Sequence, residues 1–217
     1  MAVIGITGGA GSGKSFVAAL AAENFDMLHI DTDRLARTQM MPGGASYAGV
    51  AEAFPDCLCE RKDNTDLPEI DRAALAKKVF GNKELLGKLN GLTHPHVRET
   101  VESLIEGSKG LFTHVLIETA ILADAGYCPI CDAVWLVTAP EEDRKKRLNE
   151  RGYDEARIES VFGSQPSDDE YRKTSTHEIR NGEDADEENI IGQIREILKS
   201  MGAGETAAED DEDEDEE

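Results

Sequence analysis

Residues 8–15 read Gly-Gly-Ala-Gly-Ser-Gly-Lys-Ser and fit the pattern G-x-x-x-x-G-K-[ST]. They follow the apolar run Val3-Ile4-Gly5-Ile6 and precede the helix-like stretch Phe16-Val17-Ala18-Ala19-Leu20-Ala21-Ala22. A strand, a glycine loop and a helix in that order constrain the fold to an α/β arrangement whose first turn closes around a phosphate chain. Glycines lack a Cβ and adopt positive φ, so the loop can curl with its backbone N–H groups pointing inward. The helix that follows adds unpaired N–H groups and the positive end of its dipole. Gly9, Ala10, Gly11, Ser12 and Gly13 are therefore expected to line the phosphates of ATP, together with Lys14, Ser15 and Phe16 where the helix begins. Lys14 supplies a mobile charge for the β and γ phosphates, and the Ser15 hydroxyl is placed to ligate Mg²⁺.

At 217 residues the chain accommodates one α/β domain with insertions. Its apolar stretches are too short for a membrane span. No basic leader precedes the first strand, so the expected location is the cytoplasm. The net charge is −22, but Glu205 and the run of residues 209–217 carry ten of the negative charges. A like-charge block cannot collapse, so residues 202–217 are expected to form a disordered acidic tail. An acidic chain also lacks the basic face that nucleic acid demands. Four cysteines occur as Cys57-Leu58-Cys59 and Cys128-Pro129-Ile130-Cys131. One spacing is C-x-C, Pro129 interrupts the other, and no His flanks either pair, so they are read as reduced, unligated thiols.

Short apolar runs alternating with helical patterns suggest a parallel sheet with crossover helices. Strands are expected at residues 2–7, 27–30, 115–118, 133–138 and 177–179. About 80 residues without a clear strand separate the second from the third, too many for a loop. They carry helical periodicity at Ala73-Leu75-Val79-Phe80, Leu85-Leu86-Leu89 and Val97-Val101-Leu104-Ile105. The segment 41–110 thus reads as a mostly helical insertion, with Asp71 at an N-cap and Gly81 at a C-cap. After the fourth strand, residues 140–151 run from acidic to basic, as a helix dipole favours. Residues 152–176 are polar and charged, the composition of a mobile lid, whose bounds are set at 147–176. An amphipathic helix at 187–200 closes a single domain of residues 1–201. No internal repeat is present.

The loop alone does not separate kinase, GTPase, motor and transporter. No Asn-Lys-x-Asp run is present to read guanine, and the chain is short, which favours a small-molecule kinase. Ile30-Asp31-Thr32-Asp33 puts carboxylates at the C-terminal end of the second strand, where ligands bind in open α/β sheets.

At this point the sequence resembles the dephospho-CoA kinase family across residues 2–199. The resemblance rests on residues 4–15, on Asp31-Thr32-Asp33 with Ala36-Arg37, and on Pro42-Gly43. It continues through Arg72-Ala73-Ala74-Leu75, Val79-Phe80, Leu89-Asn90 and His94-Pro95-His96-Val97-Arg98, and closes with Ala139-Pro140-Glu141-Glu142, Arg147-Leu148, Arg151, Gln165 and Ile179-Arg180-Asn181-Gly182. It implies a P-loop nucleoside-kinase-like fold, with a parallel sheet flanked by helices, a helical substrate-binding insertion and a lid. The implied reaction is ATP-dependent phosphorylation of the ribose 3′-hydroxyl of dephospho-coenzyme A, with Mg²⁺, in a monomer or weak oligomer. By the resemblance Asp33 is the base at the 3′-hydroxyl and contacts the substrate. His94 and Arg98 help hold dephospho-CoA. Arg147 and Arg151 belong to the lid and neutralise phosphoryl charge, and Asn181 lies near adenine. Glu118, ending an apolar strand, is a candidate for orienting magnesium waters.

Bland alternatives stand beside these roles. Asp33 could cap a helix beginning at Arg34, the arginines could be solvated helix-end charges, and Pro95 could sit at the first position of a helix. The chain also departs from the family pattern. Phe16 replaces the usual threonine, so the α phosphate relies on backbone N–H groups. Ala120-Ile121-Leu122-Ala123-Asp124 replaces Pro-Leu-Leu-x-Glu, and Val161 occupies a position where arginine is common, with Arg157 nearby. Two other readings remain: a P-loop kinase acting on another nucleoside or sugar alcohol, and a nucleotide-binding regulatory protein without transfer activity.

Overall fold

A computed structural model describes residues 1–60, 67–119, 122 and 126–202. The acidic tail and most of the 120–124 segment, including Asp124, lie outside the described residues.

Five parallel strands form the main sheet: β1 (Ala2–Thr7), β2 (Met27–Asp31), β5 (His114–Glu118), β6 (Ala133–Thr138) and β7 (His177–Arg180). Their order is β2-β5-β1-β6-β7. The expected strands are all present, within one residue at each end. The inner strands β1, β5 and β6 are buried on both faces, which is why they read as near-continuous apolar runs, while the edge strands β2 and β7 are only partly buried. On one face Ile4, Ile6, Leu116, Trp135 and Val137 pack against α1 (Lys14–Asn24) and α9 (Glu187–Ser200) through Val17, Ala21, Ile190 and Ile194. On the other face Val3, Ile30, Val115, Ile117 and Val134 pack against Val97 and Val101.

Those two valines belong to α5 (Lys83–Gly107), the long helix of the segment between β2 and β5. The same segment holds α3 (Tyr47–Ala53) and α4 (Arg72–Val79). It has its own apolar cluster, built on Tyr47, Val50, Phe54, Cys57, Ile70, Leu75 and Val79. Asp71 caps α4 by accepting from the backbone N–H groups of Ala73 and Ala74, as expected, and Gly81 just beyond the helix has φ +73°.

Three features add to or differ from the expectations. The insertion also contains an antiparallel ribbon, β3 (Leu58–Cys59) with β4 (Glu69–Ile70); two-residue strands are too short to show alternation. The periodic stretches at 85–89 and 97–105 are one helix, with Pro95 in its interior and not at its start. Its ring forfeits only the hydrogen bond to the Gly91 carbonyl, while Val97 and Val101 anchor the following turns in the core. Finally, the polar stretch after α6 (Glu141–Glu150) folds into α7 (Glu155–Ser164) and α8 (Asp168–Arg172), each started by a capping side chain, Asp154 and Ser167.

All four thiols are unpaired. Cys57 lies in the core of the insertion, while Cys128 and Cys131 pack under the main sheet, so the two pairs belong to different clusters. Burial pushes the Cys131 thiol up to about 12, which keeps it protonated and inert. Among the described residues no helix is long and apolar enough to cross a membrane.

Candidate active site

The chain leaves β1 toward β2 on one flank and leaves β5 toward β6 on the other. Their C-terminal ends therefore border the crevice where open α/β sheets bind ligands. The phosphate loop after β1, Asp31 at the end of β2 and Glu118 at the end of β5 lie along that edge.

After Thr7 the chain turns through residues 8–13 into α1. Gly11 and Gly13 take φ of +78° and +92°, and a Cβ on either would fall 2.6 Å from the Arg144 carbonyl oxygen and 2.0 Å from Asn181 Nδ2. Neither position tolerates a side chain, on backbone and on space. The loop is held from outside. Arg147 Nη1 donates to the carbonyls of Gly11 and Ser12 at 3.2 and 3.3 Å, and its Nη2 donates to the Asn181 carbonyl at 2.9 Å. Asn181 Nδ2 donates to the Ser12 carbonyl at 2.8 Å. The sequence-predicted Arg147 and Asn181 thus converge on the phosphate loop as its braces. Arg151, at the C-terminal cap of α6, and Arg144 are close enough to depress Lys14 electrostatically.

Lys14 Nζ donates to the carbonyls of Gly8 and Gly9 at 2.8 and 3.2 Å. Burial lowers its pKa, while Glu118 and Asp33 oppose the shift. A polyanion beside this ammonium would favour its charged form. Ser15 Oγ donates to Glu118 Oε1 at 2.6 Å. Glu118 itself is buried at the end of β5. Its desolvation opposes ionisation, yet hydrogen bonds from His29 and Ser15, with the charges of His29 and Lys14, outweigh it and hold the pKa below the usual carboxylate value. A serine hydroxyl beside an ionised carboxylate is a hard-oxygen donor set that fits Mg²⁺. Phe16, the residue after Ser15, is solvent-exposed.

The aspartate pair divides its work in a way the sequence left open. Asp31 ends β2 and caps α2 (Thr32–Gln39), accepting from the Arg34 backbone N–H at 2.9 Å. Asp33 lies inside the first turn of that helix, so it is not the cap, and the two carboxylates do not continue one strand face. Water reaches Asp33, but the cleft walls partly desolvate it. That burial and the Asp31 charge push its pKa up, against Arg37 and Lys14. Between the two aspartates, Thr32 Oγ1 donates to the Glu118 carbonyl at 3.0 Å and ties α2 to β5.

His94 and Arg98 lie on α5, where Arg98 pairs with Glu102 at 2.8 Å. The insertion is latched to the helix that carries Asp33 through Gln39 Nε2, which donates to the His96 carbonyl at 3.0 Å and to Thr100 Oγ1 at 2.7 Å. Neither His94 nor Arg98 joins the cluster around Lys14.

Three residues at the site were missed in sequence. Arg144 Nε donates to the Ala10 carbonyl at 2.9 Å, its guanidinium lies 4.6 Å from the Phe162 ring centroid, and Nη1 is 3.5 Å from Asp168. Gln165, noted only as part of a pattern, accepts from the Ala10 N–H at 2.7 Å. His29 contacts Glu118 at 2.9 Å. Only His29 left a usable signal, standing two residues before Asp31 in a strand whose alternation turns both to one face.

The chain matches the dephospho-CoA kinase family profile over residues 2–187. A dephospho-CoA kinase of Moorella thermoacetica is 40% identical over 154 residues, covering 70% of this chain and 69% of its own. One from Corynebacterium efficiens is 33% identical over 201 residues, covering 91% and 96%. A crystal structure from Thermus thermophilus superposes with TM-score 0.76 at 27% identity, covering 92% and 96% of the two chains. A shikimate kinase from Acinetobacter baumannii, 14% identical and covering 92% and 94%, shares the fold with TM-score 0.57. Sheet order, phosphate loop and relatives agree: the chain belongs to the dephospho-CoA kinase family.

Proposed function

We propose that the chain transfers the γ-phosphoryl group of ATP to the ribose 3′-hydroxyl of dephospho-CoA, in the cytoplasm, with Asp33 as the general base. The observation that carries this reading is the division between the aspartates: Asp31 is engaged as a helix cap, while Asp33 is accessible at the sheet's C-terminal edge within electrostatic reach of Lys14. The acceptor oxygen bonds to phosphorus as the bond to the β-phosphate bridging oxygen breaks. The hydroxyl proton passes to Asp33, and ADP leaves. Lys14 offsets charge that develops on the phosphate oxygens. Arg144 and Arg147 keep the loop in shape from behind, so catalysis draws on preorganised donors. Ser15, with Glu118 orienting waters, would hold Mg²⁺, which supplies charge neutralisation at the phosphates when bound. Within residues 147–176, α7 and α8 act as the lid that excludes water, docked on the loop through Gln165. His94 and Arg98, on the inserted helix, hold dephospho-CoA.

Replacing a positioned general base costs about 10²–10⁴ in rate. Asp33→Asn is therefore expected to lower kcat on that scale with little change in the KM for ATP, while Asp31→Asn, still able to cap α2, does less. Near-normal turnover in Asp33→Asn with an inactive Asp31→Asn would assign the base to the other carboxylate.

A further inference from the structure

Glu118 is the carboxylate on which Ser15 depends, and its second oxygen is also occupied. His29, in the edge strand β2, lies 2.9 Å from Glu118 Oε2 through Nε2, within hydrogen-bond distance. The two side chains meet because strand alternation puts them on one face of the sheet. Met27 and Leu116 belong to the core on the α1 side, so His29 and Glu118, each two residues further along, also face α1 and its Ser15. Glu118 Oε1 accepts a hydrogen bond from the Ser15 hydroxyl at 2.6 Å, so the serine lone pairs are not spent on that contact. A glutamate with one oxygen unheld could rotate about χ3, which is a broad torsion, and release the serine. Leu28 and Ile30, on either side of His29, pack into the opposite core, so the histidine's backbone is fixed and its ring is a rigid arm.

We propose that His29 is a positioning residue for the magnesium site: it locks Glu118 in the one orientation that accepts the Ser15 proton and turns the serine lone pairs outward. The inference rests on the reading of Ser15 and Glu118 as the magnesium side of a phosphate site. His29 contacts the carboxylate and acts through it. Outer-shell partners that orient the groups around a metal change its affinity about 10–100-fold when removed, and His29 acts through the carboxylate that orients Ser15.

The test uses His29→Val, which suits a strand but has no donor, and His29→Gln, which keeps one. Binding of ADP to the full chain is measured calorimetrically in EDTA and across a Mg²⁺ titration, and turnover is followed over the same Mg²⁺ range. Wild type and both variants are expected to bind ADP alike in EDTA. The Mg²⁺ concentration giving half-maximal enhancement of ADP binding is expected to rise about tenfold or more in His29→Val and to recover to within about threefold in His29→Gln. In turnover, the rise in half-saturating Mg²⁺ should exceed any fall in kcat. A His29→Val protein with wild-type Mg²⁺ dependence overturns the inference and leaves the phosphate site intact. Equal weakening in both variants overturns it too, because a donor to Glu118 would then not suffice. A wild-type chain whose ADP binding ignores Mg²⁺ refutes the underlying phosphate-site reading, and the inference with it.

Discussion

Replacing Arg147 with Met separates two roles for this residue, a brace of the phosphate loop and a neutraliser of transferring charge. Methionine keeps most of the aliphatic stem and removes the guanidinium. That guanidinium makes a 2.9 Å bond to the Asn181 carbonyl and a weaker, shared bond to the carbonyls of Gly11 and Ser12 at 3.2 and 3.3 Å. Counting the shared pair as one leaves two charge-assisted bonds, each about 1.5–3 kcal/mol. Arg147 is half-buried, so water can re-pair some of the freed carbonyls, and the expected loss falls to about 2–4 kcal/mol. For a chain of this length each kcal/mol moves Tm by about 2–4 °C, which gives a drop of about 4–16 °C. The assay is a thermal melt of the protein without nucleotide, followed by circular dichroism, with Arg147→Lys as an intermediate that can reach only one of the two bonds. A melt of ligand-free Arg147→Met unchanged from wild type, together with a large fall in kcat, would refute the brace and leave only the charge role suggested by resemblance.

Lys14→Ala should abolish turnover and leave the far-UV circular dichroism spectrum unchanged, because the hydrogen bonds of the ammonium go to the carbonyls of Gly8 and Gly9 in the loop and, among the described residues, to no helix backbone; an active variant would sink the phosphate-loop assignment. The raised pKa of Asp33 predicts that kcat declines on the acid side at a pH above the ordinary carboxylate range, since a base must be deprotonated to accept a proton. Asp31→Asn removes a like charge from beside Asp33 and should move that acid limb to lower pH; a limb that stays put or moves upward contradicts the assigned cause.

Local signals were legible and long-range ones were not. The phosphate loop is a contiguous run whose glycines, lysine and serine can each be argued from backbone geometry, and the three inner strands β1, β5 and β6 stand out because burial on both faces makes them mostly apolar. The assignment of cap and base between Asp31 and Asp33 required knowing where β2 stops, and Asp-Thr-Asp-Arg is compatible with either carboxylate at the cap. Pro95 reads as a helix start in isolation, but the anchoring of Val97 and Val101 in the core overrides local propensity. Arg144 and Gln165 were silent because their partners lie 134 and 155 residues away in sequence, and the strand position of His29 gave its face but not its partner, 89 residues away. Their chemistry exists only once β6 is set beside β1 and β2 beside β5.

The most direct test of the central claim is a coupled measurement of ADP release from Mg·ATP by the purified full-length chain, with dephospho-CoA present and absent, and with mass and phosphorus spectra of the acceptor product. The account predicts ADP release that depends on dephospho-CoA, in a one-to-one ratio with a product phosphorylated on the ribose 3′-oxygen. ADP release that ignores the acceptor, or tight ATP binding with no transfer to it, would contradict the account.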